Sequence, residues 1–168
     1  MKRLWAGAMA SALFLTVSSA MAQPVRTGTP APEIDLPTLD GGRVVLSKLR
    51  GHPVVVSFWG TWCPPCRSEF PELIKAHQTY GPEGLYVLGV NGRDQERRTK
   101  DVQEFVKEFA VPFTIALDER GKTRERFGLI WLPTTVFIDS GGVVRQVNMG
   151  PVDRDALAKG IAAIRLPH

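Results

Sequence analysis

Apolar residues recur along the chain in short blocks whose spacing alternates between that of strands and that of helices. Ile34, Leu36 and Leu39 precede Asp40-Gly41-Gly42, and Val44-Val45-Leu46 follows, a pattern that predicts a β-hairpin. Ser47 is placed to cap a short turn that reaches Arg50 and stops at Gly51. Val54–Trp59 has no alternation, as expected of a central strand buried on both faces. From Pro64 to Tyr80 the spacing turns helical, with Phe70, Leu73, Ile74 and His77 at i, i+3, i+4 and i+7. Pro71 falls inside this helix, where the lost backbone hydrogen bond predicts a kink. His77 lies on the apolar stripe and reads as a packing or edge histidine, because no partner ligands are in view.

Further on, Gly81-Pro82-Glu83-Gly84 marks a turn and Leu85–Val90 another apolar strand. Asn91–Lys100 is dense in mixed charge and reads as a solvated loop and helix start rather than an anion site. Val102, Phe105, Val106 and Phe109 predict an amphipathic helix, and Phe113–Leu117 a short strand. Thr134–Asp139 and Val143–Val147 flank Ser140-Gly141-Gly142, which predicts a closing hairpin. Asp153 can cap a last helix whose Leu157, Ile161 and Ile164 face the sheet. No internal repeat, low-complexity tract or second domain stands out.

The 168 residues have room for one domain with a proper core. Hydrophobic content of 43% and 23% charge suit an ordinary globular protein. Met1–Ala22 has the layout of an export signal: Lys2 and Arg3, an apolar centre over Leu4–Val17, then Ala20-Met21-Ala22 as an A-x-A cleavage site. The apolar centre contains Gly7 and Ser11 and falls short of the roughly 20 residues that span a bilayer, which argues against a retained anchor. The expected organisation is therefore a signal peptide over 1–22 and one domain over 23–168, with no stable membrane insertion after cleavage. The net charge is +4. Without Lys2 and Arg3, 19 basic residues of the original 21 stand against 17 acidic ones, or +2, too little for a nucleic-acid surface. Export to the periplasm, or another extracytoplasmic space, would put both cysteines in an oxidising compartment, where a reduced pair requires a dedicated electron source.

Those two cysteines carry the candidate chemistry. Trp62-Cys63-Pro64-Pro65-Cys66 sits between the central strand and the long helix, and Cys-x-x-Cys beside a βαβ pattern is a thioredoxin-like redox signature. If Cys63 caps the helix and Cys66 lies one turn in, the sulfurs can meet as a disulfide. Cys63 then has solvent access and sits where unpaired N–H groups and the helix dipole favour its thiolate, while Cys66 is more buried. One sulfur attacks and the other resolves the mixed disulfide. Pro64 suits the first helical position, since its missing N–H would have no partner there. A structural disulfide closing so short a loop would stabilise by only about 2 kcal/mol. A zinc site lacks two ligands, and haem attachment would need His where Arg67 stands. No metal and no separate cofactor are expected.

FWGTWCPPCRSEFPEL (58–73) resembles the active-site segment of the TlpA/ResA-type thioredoxin-like family, exported bacterial thiol–disulfide oxidoreductases. The likeness continues through VNGRD (90–94), FTIALD (113–118) and LPTTVFID (132–139), in family order. It implies an α/β, thioredoxin-like fold: a central mixed β-sheet flanked by helices, with an N-terminal β-hairpin and an extra helix–strand insert. By the same resemblance Pro133 follows a cis peptide bond, faces the disulfide and helps hold an extended substrate; the other reading is a trans proline opening a strand. Glu69 resembles the family's active-site glutamate, where a carboxylate could take or return the Cys66 proton. Its other reading is a surface glutamate favoured by the helix dipole. Ser57 stands where thioredoxin has a buried aspartate, which leaves Glu69 as the candidate carboxylate. Trp62 is expected to shield the sulfurs and offer partners an apolar surface, with Trp59 in the core.

The leading expectation is a thiol–disulfide oxidoreductase that reduces protein thiol/disulfide clients outside the cytoplasm. The resemblance implies apocytochrome c or copper-site cysteines as clients and a membrane thiol electron donor, hence a part in cytochrome c-type biogenesis. A dithiol oxidase and a copper-binding assembly factor are the alternatives, although copper proteins of that kind use Cys-x-x-x-Cys. A peroxiredoxin would need Pro and Thr where Val56 and Gly60 stand.

Overall fold

A computed structural model describes residues 24–165; the expected signal segment lies outside them. A five-stranded sheet in the order β5-β4-β3-β6-β7 forms the centre. Its strands are β3 (Val54–Trp59), β4 (Tyr86–Asn91), β5 (Thr114–Leu117), β6 (Thr134–Ile138) and β7 (Val144–Met149). β3, β4 and β5 run parallel, β6 runs antiparallel to β3 and β7 antiparallel to β6, so the sheet is mixed. This is the thioredoxin-like arrangement the motifs imply. The N-terminal hairpin is present as β1 (Asp35–Pro37) against β2 (Arg43–Val45). The extra unit is α2 (Thr99–Glu108) followed by β5 at the sheet edge.

β3 explains its own lack of alternation. All six of its residues are buried. Val55 and Trp59 join the core under α1 (Pro64–Tyr80), α2 and α4 (Arg154–Arg165). Val54, Val56 and Phe58 join the opposite core, where the hairpin supplies Ile34, Leu36, Val44 and Leu46, and Phe127 closes the layer. A strand sandwiched this way has no solvent face to mark with polar residues.

Two local expectations need correction. Ser47 does not cap the 3-10 turn over Leu46–Leu49; it lies within the turn, and its N–H donates to the Glu33 carboxylate at 3.0 Å. A fourth helix, α3 (Lys122–Arg126), occupies a stretch to which no element was assigned. Its five residues are too few to display a period. What starts it is Asp118, whose carboxylate accepts from Thr123 N (3.3 Å) and Arg124 N (2.9 Å). Asp153 does cap α4, accepting from Ala156 N at 2.8 Å.

Candidate active site

The C-terminal end of β3 leads through Gly60-Thr61-Trp62 into α1, and the start of β6 lies beside it, with Phe58 opposite Thr134. Cys63 is the N-cap of α1 and Cys66 lies one turn in, as the spacing predicts. The two are joined as a disulfide, and Cys66 N–H donates to Cys63 Sγ at 3.2 Å. Pro64 and Pro65 fill positions whose N–H groups would have no helical partner. The expected difference in access is slight in this disulfide form: Cys63 is 3% exposed and Cys66 is fully buried. Trp62, Pro64 and Pro65 carry the exposure around the sulfurs instead.

Glu69 is not a surface glutamate. It is 1% exposed, on the inner face of α1 with Cys66, Leu73 and Ala76. Its Oε1 accepts from the Ser57 hydroxyl at 2.6 Å and its Oε2 from Val152 N at 3.2 Å. Burial pushes its carboxyl up to about 7, against the pull of those two donors. Ser57 and Glu69 thus share one buried polar contact between β3 and α1, a serine on the strand and the carboxylate on the helix. The stripe of α1 is turned toward Glu69 relative to the sequence expectation, which leaves Ile74 and His77 half-buried at its margin. His77 packs near Phe113, with ring centroids 5.9 Å apart.

Behind the cysteines an aromatic cluster fixes α1 against α2. Trp59 is fully buried, with Phe70 edge-on at 4.7 Å and Phe105 at 4.5 Å. The Arg67 guanidinium lies 5.0 Å from the centroids of both Phe105 and Phe109, so the residue after Cys66 also ties the two helices.

Beside the cysteine turn several large apolar side chains stand in the open. Pro133 is buried, its bond to Leu132 is cis, and its carbonyl accepts from Gly150 N at 2.9 Å. Trp62, half exposed, lines a groove of about 420 Å³ with Gln95, Arg124, Ile130, Trp131 and Leu132. Ile130 and Trp131 were missed from the sequence, although the apolar run Leu129–Leu132 belongs to no strand or helix. That orphan run just before Pro133 was the available signal. Glu96 was also missed. It is 8% exposed, and its carboxylate holds Thr61 and Asn91. Among the described residues no helix is long and apolar enough to cross a membrane.

Residues 27–147 match the AhpC/TSA family model. The chain is 30% identical over 141 residues to the thiol-disulfide oxidoreductase ResA of Geobacillus thermodenitrificans, covering 84% of this chain and 79% of that one. A crystal structure assigned to a thiol:disulfide interchange protein DsbE of Chlorobium tepidum superposes with a TM-score of 0.77 at 33% identity, covering 83% of this chain and 98% of that one. A secreted disulfide oxidoreductase of Mycobacterium tuberculosis superposes with a TM-score of 0.69 at 26% identity, covering 77% and 95%.

Proposed function

The chain belongs to the AhpC/TSA family and is a thiol–disulfide oxidoreductase, and from that premise we propose that it reduces disulfides of client proteins outside the cytoplasm. One observation carries the choice of protein over small-molecule clients. The described residues with large apolar side chains in the open are Trp62, Ile130, Trp131 and Met149, and all four belong to the end of the sheet where the cysteines lie. Met149 pairs with Thr134, next to Pro133. Apolar surface gathered at one place marks an interaction site.

In this reading the reduced Cys63 thiolate attacks a client disulfide and forms a mixed disulfide, and one client thiolate leaves. The Cys66 thiolate then attacks Cys63 Sγ, which releases the second client sulfur and restores the Cys63–Cys66 bond. Two electrons and the Cys66 proton pass from the enzyme pair to the client, whose other thiolate takes its proton from solvent. Glu69, with a carboxyl near 7, takes the proton that Cys66 must lose. Trp62 and Pro133 flank the bound client segment.

Residues 1–22 act as the export signal, and a membrane thiol donor keeps the pair reduced against its surroundings. Support for apocytochrome c or copper-site cysteines as clients comes from the resemblance to TlpA/ResA-type proteins. Cys66→Ala should accumulate mixed disulfides to client proteins through Cys63, and mass spectrometry of the adducts identifies the clients. First alkylation of Cys66 in the reduced protein near neutral pH overturns the assignment of roles. A Trp131→Ser variant should lose rate toward a protein disulfide more than toward oxidised glutathione; equal losses would remove the groove from client binding.

A further inference from the structure

We propose that Glu96 is a positioning residue for this reaction, locking the turn that presents Trp62 and Cys63 to the client. The inference rests on the reading of the groove as the client site. Glu96 follows a 3-10 turn (Arg93–Gln95) in the loop between β4 and α2, 33 positions beyond Cys63, yet its carboxylate reaches back to the entry of α1. Oε1 accepts from Thr61 N at 2.7 Å and from Asn91 Nδ2 at 2.9 Å, and Oε2 accepts from the Thr61 hydroxyl at 2.6 Å. Main chain and side chain of one residue are thus held by the two oxygens of one buried carboxylate. A grip at two points on Thr61 fixes the direction of the peptide as well as its position.

What it fixes is the segment that matters. Thr61 N–H belongs to the peptide joining Gly60 to Thr61, and the Gly60 carbonyl accepts from Cys63 N at 3.3 Å to close the turn. The Trp62 indole lies back over Gly60, where a Cβ would come within 2.9 Å of Cε2 and Nε1. Glycine therefore gives the indole its seat, and Glu96 holds the peptide on which that seat is built.

The clamp is itself anchored. Arg93 Nη1 donates to the Glu96 carbonyl at 3.0 Å, Arg93 Nε to Thr99 Oγ1 at 2.8 Å, and Gly92 N to the Trp59 carbonyl at 3.0 Å. Gln95, the neighbour of Glu96, lines the same groove as Trp62. One loop thus holds the turn from below and forms part of the groove's wall.

A misplacement of about 1 Å at a reacting site can cost about a hundredfold in rate. Glu96→Ala should lower kcat/KM toward a protein disulfide by about tenfold or more, chiefly through KM, and lower the rate with oxidised glutathione by a smaller factor. Glu96→Gln should recover most of that loss. Its amide oxygen can still accept from Thr61 N and Asn91, and its NH2 can donate to a Thr61 hydroxyl turned to accept. Thr61→Val, which deletes one of the three bonds and leaves the buried carboxylate in place, should show the same bias toward loss of protein clients, at smaller size. Equal losses with both substrates in folded Glu96→Ala or Thr61→Val overturn the proposal. So does a Glu96→Gln as impaired as Glu96→Ala, which would make the charge rather than the grip the active property. Failure of the wild-type protein to reduce any protein disulfide would instead sink the client reading itself.

Discussion

Glu69→Gln isolates the one buried carboxyl beneath the redox pair, and the structure fixes the size and sign of its effect. The side chain is 1% exposed, and its carboxyl rises from an ordinary 4.5 to about 7 because burial disfavours the charged form. That gap corresponds to about 3 kcal/mol between the two protonation states. The folded protein holds this proton more tightly than the unfolded chain, so the associated stability is fully present below about pH 4.5 and is lost as pH rises through about 7. Glutamine has nearly the same shape, can still accept from Val152 N and can exchange a bond with the Ser57 hydroxyl, but cannot ionise. Urea unfolding of both disulfide-form proteins at steps from pH 4.5 to 8.5 gives the difference in stability. Subtraction cancels other carboxylates, such as Asp35 and Asp101, whose own pairing with Arg43 and Arg98 biases stability the opposite way. The wild type should lose up to about 3 kcal/mol relative to Glu69→Gln between the two ends of the range. Parallel curves would refute the reasoning: Glu69 would then be ionised throughout, or equally solvated in both states.

Two further substitutions test packing and backbone. Ala110 follows the C-cap of α2 with φ at 50°, in a turn where Val111 N donates to the Val106 carbonyl at 3.0 Å. Ala110→Gly should therefore raise stability by about 0.5–1 kcal/mol, read as a higher urea midpoint at unchanged slope. At Gly160 in α4 a Cβ would push into the Phe137 ring. The helix-propensity gain of Gly160→Ala, about 1 kcal/mol, is outweighed by overpacking of about 1–3 kcal/mol, so the melting temperature should fall; a rise would mean that the helix shifts freely over the sheet.

The fold was legible wherever burial imposes a period or forbids one. β3 showed itself by an unbroken apolar run, and α1 by its stripe and its prolines at the start. Glu69 was only half legible. It lies three residues after Cys66 and four before Leu73, both inner positions, so helix geometry alone places it inside; its acidic character argued for the surface. α3 was hidden because its start depends on a side chain outside it, Asp118, and on Gly121 in a left-handed conformation. The grip of Glu96 on Thr61 joins positions 35 apart in sequence. Nothing local separates that glutamate from its charged neighbours, since only the return of the loop to the end of β3 buries it.

The proposed direction of electron flow rests on magnitudes rather than on geometry. At the N-terminus of α1 the Cys63 thiolate is favoured, which stabilises the reduced pair and makes it more oxidising. Such a dipole effect is worth at most about 2 kcal/mol. Glu69, once ionised, would oppose a second negative charge on Cys66 and push the potential the other way. For a two-electron couple about 30 mV corresponds to about 1.4 kcal/mol, so the helix-end effect amounts to tens of millivolts. Strong oxidants of this chemistry lie near about −120 mV and thioredoxin near about −270 mV, a gap of about 7 kcal/mol. The helix-end effect does not span that gap, and a charge on Glu69 would act against it. A potential on the thioredoxin side, held reduced by a donor, is therefore the state in which this pair can act as a reductase. A measured value near −120 mV with a mostly oxidised pool in cells would make it an oxidase on the same site.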